Sequence, residues 1–363
     1  MKIVYVITQA TWGGAQAHLY SLIQQQVRLG NQVTLVCGQT GWLSTRVGAE
    51  FPTVAVVPIS SLVRQIAPMS DLSAIRTLRT LLRNRRPDIV HLHSSKAGMI
   101  GRLAAAGLRL NVVFTVHGWG FTPGVGKKRQ LLMKSIEKSL RHLTTYYICV
   151  SQFDYALGVQ NGVITKRRPG RVIHNGVTAL NTSRHSKCQD TFVLSMAARF
   201  DAPKRQDLLI RALSYLPEEI PIACNMLGDG PLLQECRNLA DRLNVSSRVQ
   251  FRGVVDNVQH YYQQSDVAVL ISDYEALPIS LVEALAQGLP IIASRVGGID
   301  ELIHENGYLV ENDAKQIAEK IILLYQSNQM AQLKRNSYQI YEHQYTEQAM
   351  LAQTQACYLQ CLT

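Results

Sequence analysis

No apolar stretch in this sequence approaches the roughly 18 uninterrupted residues of a bilayer-spanning helix, so a spanning segment is not expected. The opening "MKIVYVITQATWGG" has one lysine and a short apolar run, too little for a secretory signal. Cysteine is sparse and unpaired in pattern: the seven residues at 37, 149, 188, 224, 236, 357 and 361 form no CxxC, which argues against zinc and redox motifs and fits a reducing cytoplasm. No strand-like run is followed by GxGxxG, because "GDGPLL" lacks the third glycine; a nicotinamide-dependent oxidoreductase is disfavoured. Acidic residues are scarce in one half only. Up to Leu180 there are 5 Asp+Glu against 22 Lys+Arg, a net +17, whereas residues 181–363 carry 21 against 15, a net −6.

What is present is apolar enough, at 47%, to build cores, and the 363 residues exceed the usual size of a single one. Strand-like runs rich in Val and Ile recur at 2–7, 32–38, 54–59, 88–93, 112–118, 146–151 and 171–177, separated by segments of helical periodicity. The pattern restarts at 192–199, 222–228, 249–253, 267–272, 290–294 and 307–310. Such alternation predicts an α/β chain of two doubly wound parallel sheets. The polar stretch "TALNTSRHSKCQD" (178–190) reads as a linker where the charge inverts. The expected division is an N-terminal domain at 1–180, a C-terminal domain at 181–340 and a helical tail at 341–363 that packs back on the first domain. Ligands of open parallel sheets bind beyond the carboxyl ends of the strands, so a cleft between the two domains is the expected site.

Two basic runs stand out, "IRTLRTLLRNRRPD" (75–88) and "KKRQLLMKSIEKSLRHL" (127–143). In the second, Leu131, Leu132, Ile136, Leu140 and Leu143 recur at near-helical spacing between basic residues. A basic amphipathic helix of this kind suits an anionic membrane surface; packing of its apolar face on its own sheet is the other reading. Neither run belongs to a nucleic-acid-binding motif, and no nucleic acid partner is expected.

The stretch "DYEALPISLVEALAQG" places Glu275 and Glu283 eight positions apart, about 80° off a shared helix face. "VAVLIS" before it reads as a buried strand, Pro278 suits the first turn of a helix, and Gly288 its end. Glu275 is then on a loop and Glu283 inside the helix, flanking N–H groups near Ile279 that favour an anion. Carboxylates beside an anion site suggest hydroxyl groups as partners, and hydroxylated groups flanking a diphosphate outline a nucleotide sugar. "AARFDAPKRQDLLI" offers Arg199 and Lys204 as cations after a strand. Gly13 and Gly14 after the first strand would let the chain approach a phosphate. His91 and His93 are read as facing opposite sides of their strand, His93 toward an acceptor and His91 into packing, which disfavours metal binding by that pair.

With these segments in hand the chain resembles the retaining glycosyltransferases of family 4, which have the two-domain GT-B fold. The resemblance rests on "AARFDAPKRQDLLIRAL", "MLGDGPLLQE", "VQFRGVVDNV" and "SDVAVLISDYEALPISLVEALAQGLPIIASRVGGIDELI" in the second half, and on "TQATWGGAQAHLYSL", "DIVHLHSSKAGMIGRLAA", "TVHGWGFTPG", "ICVSQF" and "VIHNGV" in the first. It implies Glu275 at the donor sugar, Glu283 at the ribose, and Arg199 and Lys204 on the diphosphate. Backbone groups near Gly13, Gly14, Gly228, Val254, Leu277, Pro278, Ile279 and Ser280 would complete the donor site. His117 would meet the reacting sugar, with Gln16, His93, Lys96 and Trp119 on the acceptor side. "HLHSSKAGMIGRLAA" with "TVHGWGF" further resembles the capsular and O-antigen sugar transferases that use undecaprenyl-diphosphate-linked acceptors.

The chain departs from the family at Ala276, where glycine is frequent, at Gln16, where glutamate is frequent, and at Thr178, where aspartate is common. No Asp-x-Asp triplet occurs, so neither a metal on the diphosphate nor any other cofactor is expected. The resemblance implies retention, with the departing diphosphate taking the proton of the incoming hydroxyl, and peripheral attachment to the inner face of the cell membrane. The rival readings are a nucleotide-sugar 2-epimerase of the same fold and a non-catalytic membrane adaptor.

Overall fold

The computed structural model describes residues 1–180 and 191–362; most of the expected linker, with Cys188, lies outside them. The chain divides into two units, Met1–Asn175 with Glu347–Thr363, and Gly176–Thr346.

In the first unit every expected strand forms: β1 Lys2–Ile7, β2 Gln32–Cys37, β3 Ala55–Pro58, β4 Ile89–His93, β5 Asn111–Val116, β6 Tyr146–Cys149 and β7 Gly170–Val172. They make one parallel sheet in the order β3-β2-β1-β4-β5-β6-β7. Its central strands are buried along their length, β4 at every residue, because helices cover both faces and even alternate positions must be apolar. The helix Glu347–Leu362 belongs to this unit. Tyr358 reaches the sheet, its hydroxyl 3.0 Å from that of Tyr5 and 2.6 Å from His91 Nδ1.

The second unit holds β8 Phe192–Ala197, β9 Ile222–Leu227, β10 Val249–Gly253, β11 Val267–Leu270, β12 Ile291–Ser294 and β13 Gly307–Val310. These form a second parallel sheet, β10-β9-β8-β11-β12-β13. In each sheet the strand order reverses once, between β1 and β4 and between β8 and β11. Chain crossovers leave in opposite directions there and open a crevice at the strand ends, which is where ligands of such sheets bind.

The basic run at 127–143 forms the helix Lys127–Leu140 and a following 3-10 turn, and its apolar positions divide, with Leu140 buried and Ile136 and Leu143 intermediate. Leu131 and Leu132 are exposed, while Glu137 is buried. Glu137 Oε2 and Oε1 accept from Arg102 Nη1 at 2.7 Å and Nη2 at 3.0 Å, and the Arg102 guanidinium lies 4.8 Å from the Phe114 ring centre. This helix is held to its unit by that ion pair together with buried Leu140 and partly buried Met133, leaving Leu131 and Leu132 outside.

Candidate functional site

In the second unit the loop after β8 carries Arg199 to Arg205, and the loop after β11 carries Ser272 to Pro278. Backbone bonds zip the two across the crevice, Arg205 N–H to Ile271 O at 2.9 Å and Asp273 N–H to Pro203 O at 3.0 Å. The zipping brings the Lys204 ammonium onto Glu275 Oε1 as an ion pair, with side chains 18% and 11% exposed. Arg205, which sequence reasoning passed over, links the same loops through Asp207 at 2.9 Å and Asp273 at 3.2 Å. Arg199 stands apart from the pair: it bonds Asp201 at 2.9 Å and is half exposed.

Behind Glu275 the backbone is buttressed. Gly297 has φ +59°, and a Cβ there would lie 1.8 Å from the Glu275 carbonyl oxygen, so only glycine lets the two segments pass this closely. Gly298 N–H then donates to Ala276 O at 2.9 Å. Asn312, also missed from the sequence, donates to Ser272 O at 3.1 Å and to Asp273 Oδ1 at 2.9 Å.

The helix after this loop is Ile279–Ala286, with Pro278 as its N-cap rather than its first residue and no side-chain cap. Its first-turn N–H groups therefore have no side-chain partner at the cap, although Leu281 N–H bonds Pro278 O at 3.1 Å. Gly288 N–H bonds Leu285 O at 2.8 Å and Leu289 N–H bonds Ala284 O at 3.0 Å, the paired bonds of a Schellman ending. Glu283 sits in the second turn, half-buried, yet surrounded closely enough that desolvation pushes its carboxyl up to about 7. The Tyr262 hydroxyl is its buried neighbour.

Gly228 follows β9, its N–H on Gly253 O at 2.7 Å, and Val254 follows β10. Val254 is exposed, on the rim of an open depression of about 450 Å³ with Arg252, Asn257, His260 and Tyr261. Thus Val254, Gly228, Lys204 and Glu275 follow β10, β9, β8 and β11, four neighbouring strands of one sheet.

In the first unit Thr8 Oγ1 and Ser94 Oγ are 2.8 Å apart across the β1/β4 switch. Gly13 caps the helix Gly14–Arg28 with an extended backbone; a Cβ there would lie 2.8 Å from Gln16 Oε1. Gln16 folds back onto Gln9 O at 2.8 Å.

Three residues expected on the acceptor side have buried side chains in the first unit. Trp119 is a core residue, its Nε1 donating to Asp154 O at 2.6 Å and its ring stacked on Phe121 at 5.0 Å. Lys96 is largely buried and paired with Asp71 at 2.5 Å, so its charge is already compensated. His93 is wholly buried and lines no open surface. Nor do His91 and His93 face opposite sides: side chains alternate at each residue of a strand, so positions two apart share a face, and their ring centres are 4.2 Å apart.

His91 is fully occupied, by Tyr358 at 2.6 Å and Thr115 Oγ1 at 2.7 Å. His93 Nδ1 instead meets His117 Nε2 at 3.1 Å, and His18, from the helix Gly14–Arg28, lies against both, with ring centres at 5.7 and 5.0 Å. Burial lowers the His18 imidazole to about 4, with neighbouring Asn175 acting in the opposite direction. Burial, then the neighbouring imidazoles, holds His93 and His117 well below the usual range.

Two family descriptions match this chain, "Glycosyltransferase Family 4" over residues 12–179 and "Glycosyl transferases group 1" over residues 181–340. The UDP-Gal:alpha-D-GlcNAc-diphosphoundecaprenol alpha-1,3-galactosyltransferase of Escherichia coli is 30% identical over 298 residues, 77% of this chain and 76% of that one. The O-antigen biosynthesis glycosyltransferase WbnH of the same organism is 27% identical over 324 residues, 88% and 89% of the two chains. Among solved structures, Anabaena HepE in complex with UDP-glucose superposes with a TM-score of 0.82 at 20% identity, over 99% of this chain and 100% of that one. The chain belongs to the GT-B glycosyltransferases, in the group that serves O-antigen and capsular polysaccharide synthesis.

Proposed function

We propose that this glycosyltransferase moves a hexose or N-acetylhexosamine from a UDP-sugar, with retention, to a hydroxyl of an undecaprenyl-diphosphate-linked glycan. The observation that carries the donor reading is the grouping of Lys204, Glu275, Glu283 and the uncapped helix Ile279–Ala286 at the β8/β11 switch. In this reading the diphosphate takes the helix N-terminus and Lys204, together with Arg199 once it leaves Asp201. Glu275 meets the sugar, Glu283 the ribose hydroxyls, and the depression beside Val254 the base. Negative charge grows on the diphosphate as the sugar departs, and preorganised cations and N–H dipoles stabilise that charge most. The leaving oxygen takes the proton of the attacking hydroxyl, which needs no protein nucleophile and no metal on the diphosphate. The likeness to a galactosyltransferase that uses UDP-Gal and a diphosphoundecaprenol-linked GlcNAc, and to a protein crystallised with UDP-glucose, supports the donor and acceptor classes.

The exposed Leu131 and Leu132 among Lys127, Lys128, Arg129 and Lys138 support attachment to an anionic membrane surface, on the cytoplasmic face where such acceptors are built. A panel of UDP-sugars, each offered with a synthetic diphospholipid-linked sugar in EDTA, tests the reading. One donor should yield an α-linked product by NMR coupling constants; a 2-epimerised nucleotide sugar formed without acceptor would replace transfer with epimerisation.

A further inference from the structure

His18, His93 and His117 come from the helix Gly14–Arg28, from β4 and from the segment after β5, and fold into one cluster of the first unit. One ring nitrogen from each lies within 4.8 Å of those of the other two. Neighbouring His91 shows what a structural histidine looks like here, with both nitrogens bonded to hydroxyl groups. The cluster differs: His18 Nδ1 is buried with no hydrogen-bond partner. Buried polar atoms are nearly always satisfied, and orphans call for an absent ion or water.

The spacing favours an ion. Imidazole nitrogens bound at about 2.0–2.1 Å on a tetrahedral zinc ion lie about 3.4 Å from each other, and His93 Nδ1 and His117 Nε2 are already 3.1 Å apart. An all-imidazole set suits borderline transition metals and not calcium or magnesium, which take oxygen ligands. His117 is only half-buried and supplies the entry path, while three protein ligands leave a fourth position for water.

We propose that His18, His93 and His117 form a binding site for a zinc-class divalent transition-metal ion. Binding is read without turnover, so the proposal stands or falls independently of the donor and acceptor.

The test uses untagged full-length protein, stripped with chelator and titrated with Co(II) as a spectroscopic stand-in for Zn(II). The expected result is one equivalent bound with visible bands of a four-coordinate ion, no thiolate charge-transfer band, and displacement by one equivalent of Zn(II). His18→Gln and His117→Gln should each weaken binding by more than about 100-fold, beyond the 10–100-fold that outer-shell partners cost. His117→Gln alters the most exposed of the three rings and keeps the test open should the buried variant not fold. No stoichiometric binding, thiolate bands from cysteine ligation, or affinity unchanged by His117→Gln would each overturn the site.

Discussion

Lys204 and Glu275, 71 residues apart in sequence, are joined as an ion pair at the β8/β11 switch of the second sheet. In the proposed reading each has another partner, phosphate for the lysine and sugar hydroxyls for the carboxylate, so the donor competes with the pair. Glu275→Gln should therefore leave UDP affinity equal to wild type or raise it by a fewfold, while transfer falls at least 100-fold. Lys204→Ala should lose both. Titration calorimetry with UDP, set beside turnover, separates these outcomes; a Glu275→Gln variant that fails to bind UDP would contradict the competition.

The Glu283 carboxyl, held up to about 7 from its usual 4.5, links stability and ligand binding to pH. Between pH 4.5 and 7 the unfolded chain loses this proton and the folded chain keeps it, so the residue's contribution falls as pH rises and then levels off. Full burial would make the effect about 3 kcal/mol, and the partial opening of Glu283 reduces it to about 1–2 kcal/mol. Glu283→Gln should raise the thermal midpoint at pH 8 by about 2–6 °C and change it little at pH 5. UDP affinity should fall in the same variant at pH 8, because an amide accepts the ribose hydroxyls less well than a carboxylate.

Arg102 and Glu137 form a bidentate pair with side chains 0% and 2% exposed. Removing one partner strands a buried charge, so Glu137→Ala should cost about 3–5 kcal/mol in denaturant unfolding. The double replacement Arg102→Met with Glu137→Leu should cost clearly less, since neither charge remains. Equal losses in the two proteins would mean that packing, not charge, holds the helix Lys127–Leu140.

That helix also carries the membrane prediction. Sedimentation with vesicles rich in phosphatidylglycerol should be strong at low salt and weaken as salt screens the basic residues. Leu131→Ser with Leu132→Ser should reduce it at least about tenfold, because both side chains are exposed and burying each is worth about 1.5–3 kcal/mol. Equal binding to neutral vesicles would contradict the electrostatic part.

The thirteen strands among the described residues are readable because buried parallel strands are short Val- and Ile-rich runs, whatever they pack against. The placement of Glu275 on a loop and Glu283 inside a helix is readable for a local reason: strand, loop, proline and helix follow one another directly. Where a residue's environment is made by distant chain, the sequence misled. Trp119 is pinned by Asp154 and Lys96 by Asp71, and neither partner has a sequence signature. His18 looks like any polar helix residue until β4 and β5 bring His93 and His117 beside it. For the helix Lys127–Leu140 the spacing leaves open whether its leucines face a membrane surface or their own sheet, and what the local sequence does not show is the distant Arg102 that buries Glu137.

The central claim is that Lys204, Glu283 and the start of the helix Ile279–Ala286 hold a nucleotide diphosphate sugar. Calorimetric binding of UDP to wild type and to Glu283→Ala, with circular dichroism confirming equal folding, tests it most directly. The account predicts one UDP per chain for wild type and an affinity loss of at least about 30-fold, or 2 kcal/mol, in the variant. Equal affinity in the two proteins would contradict it.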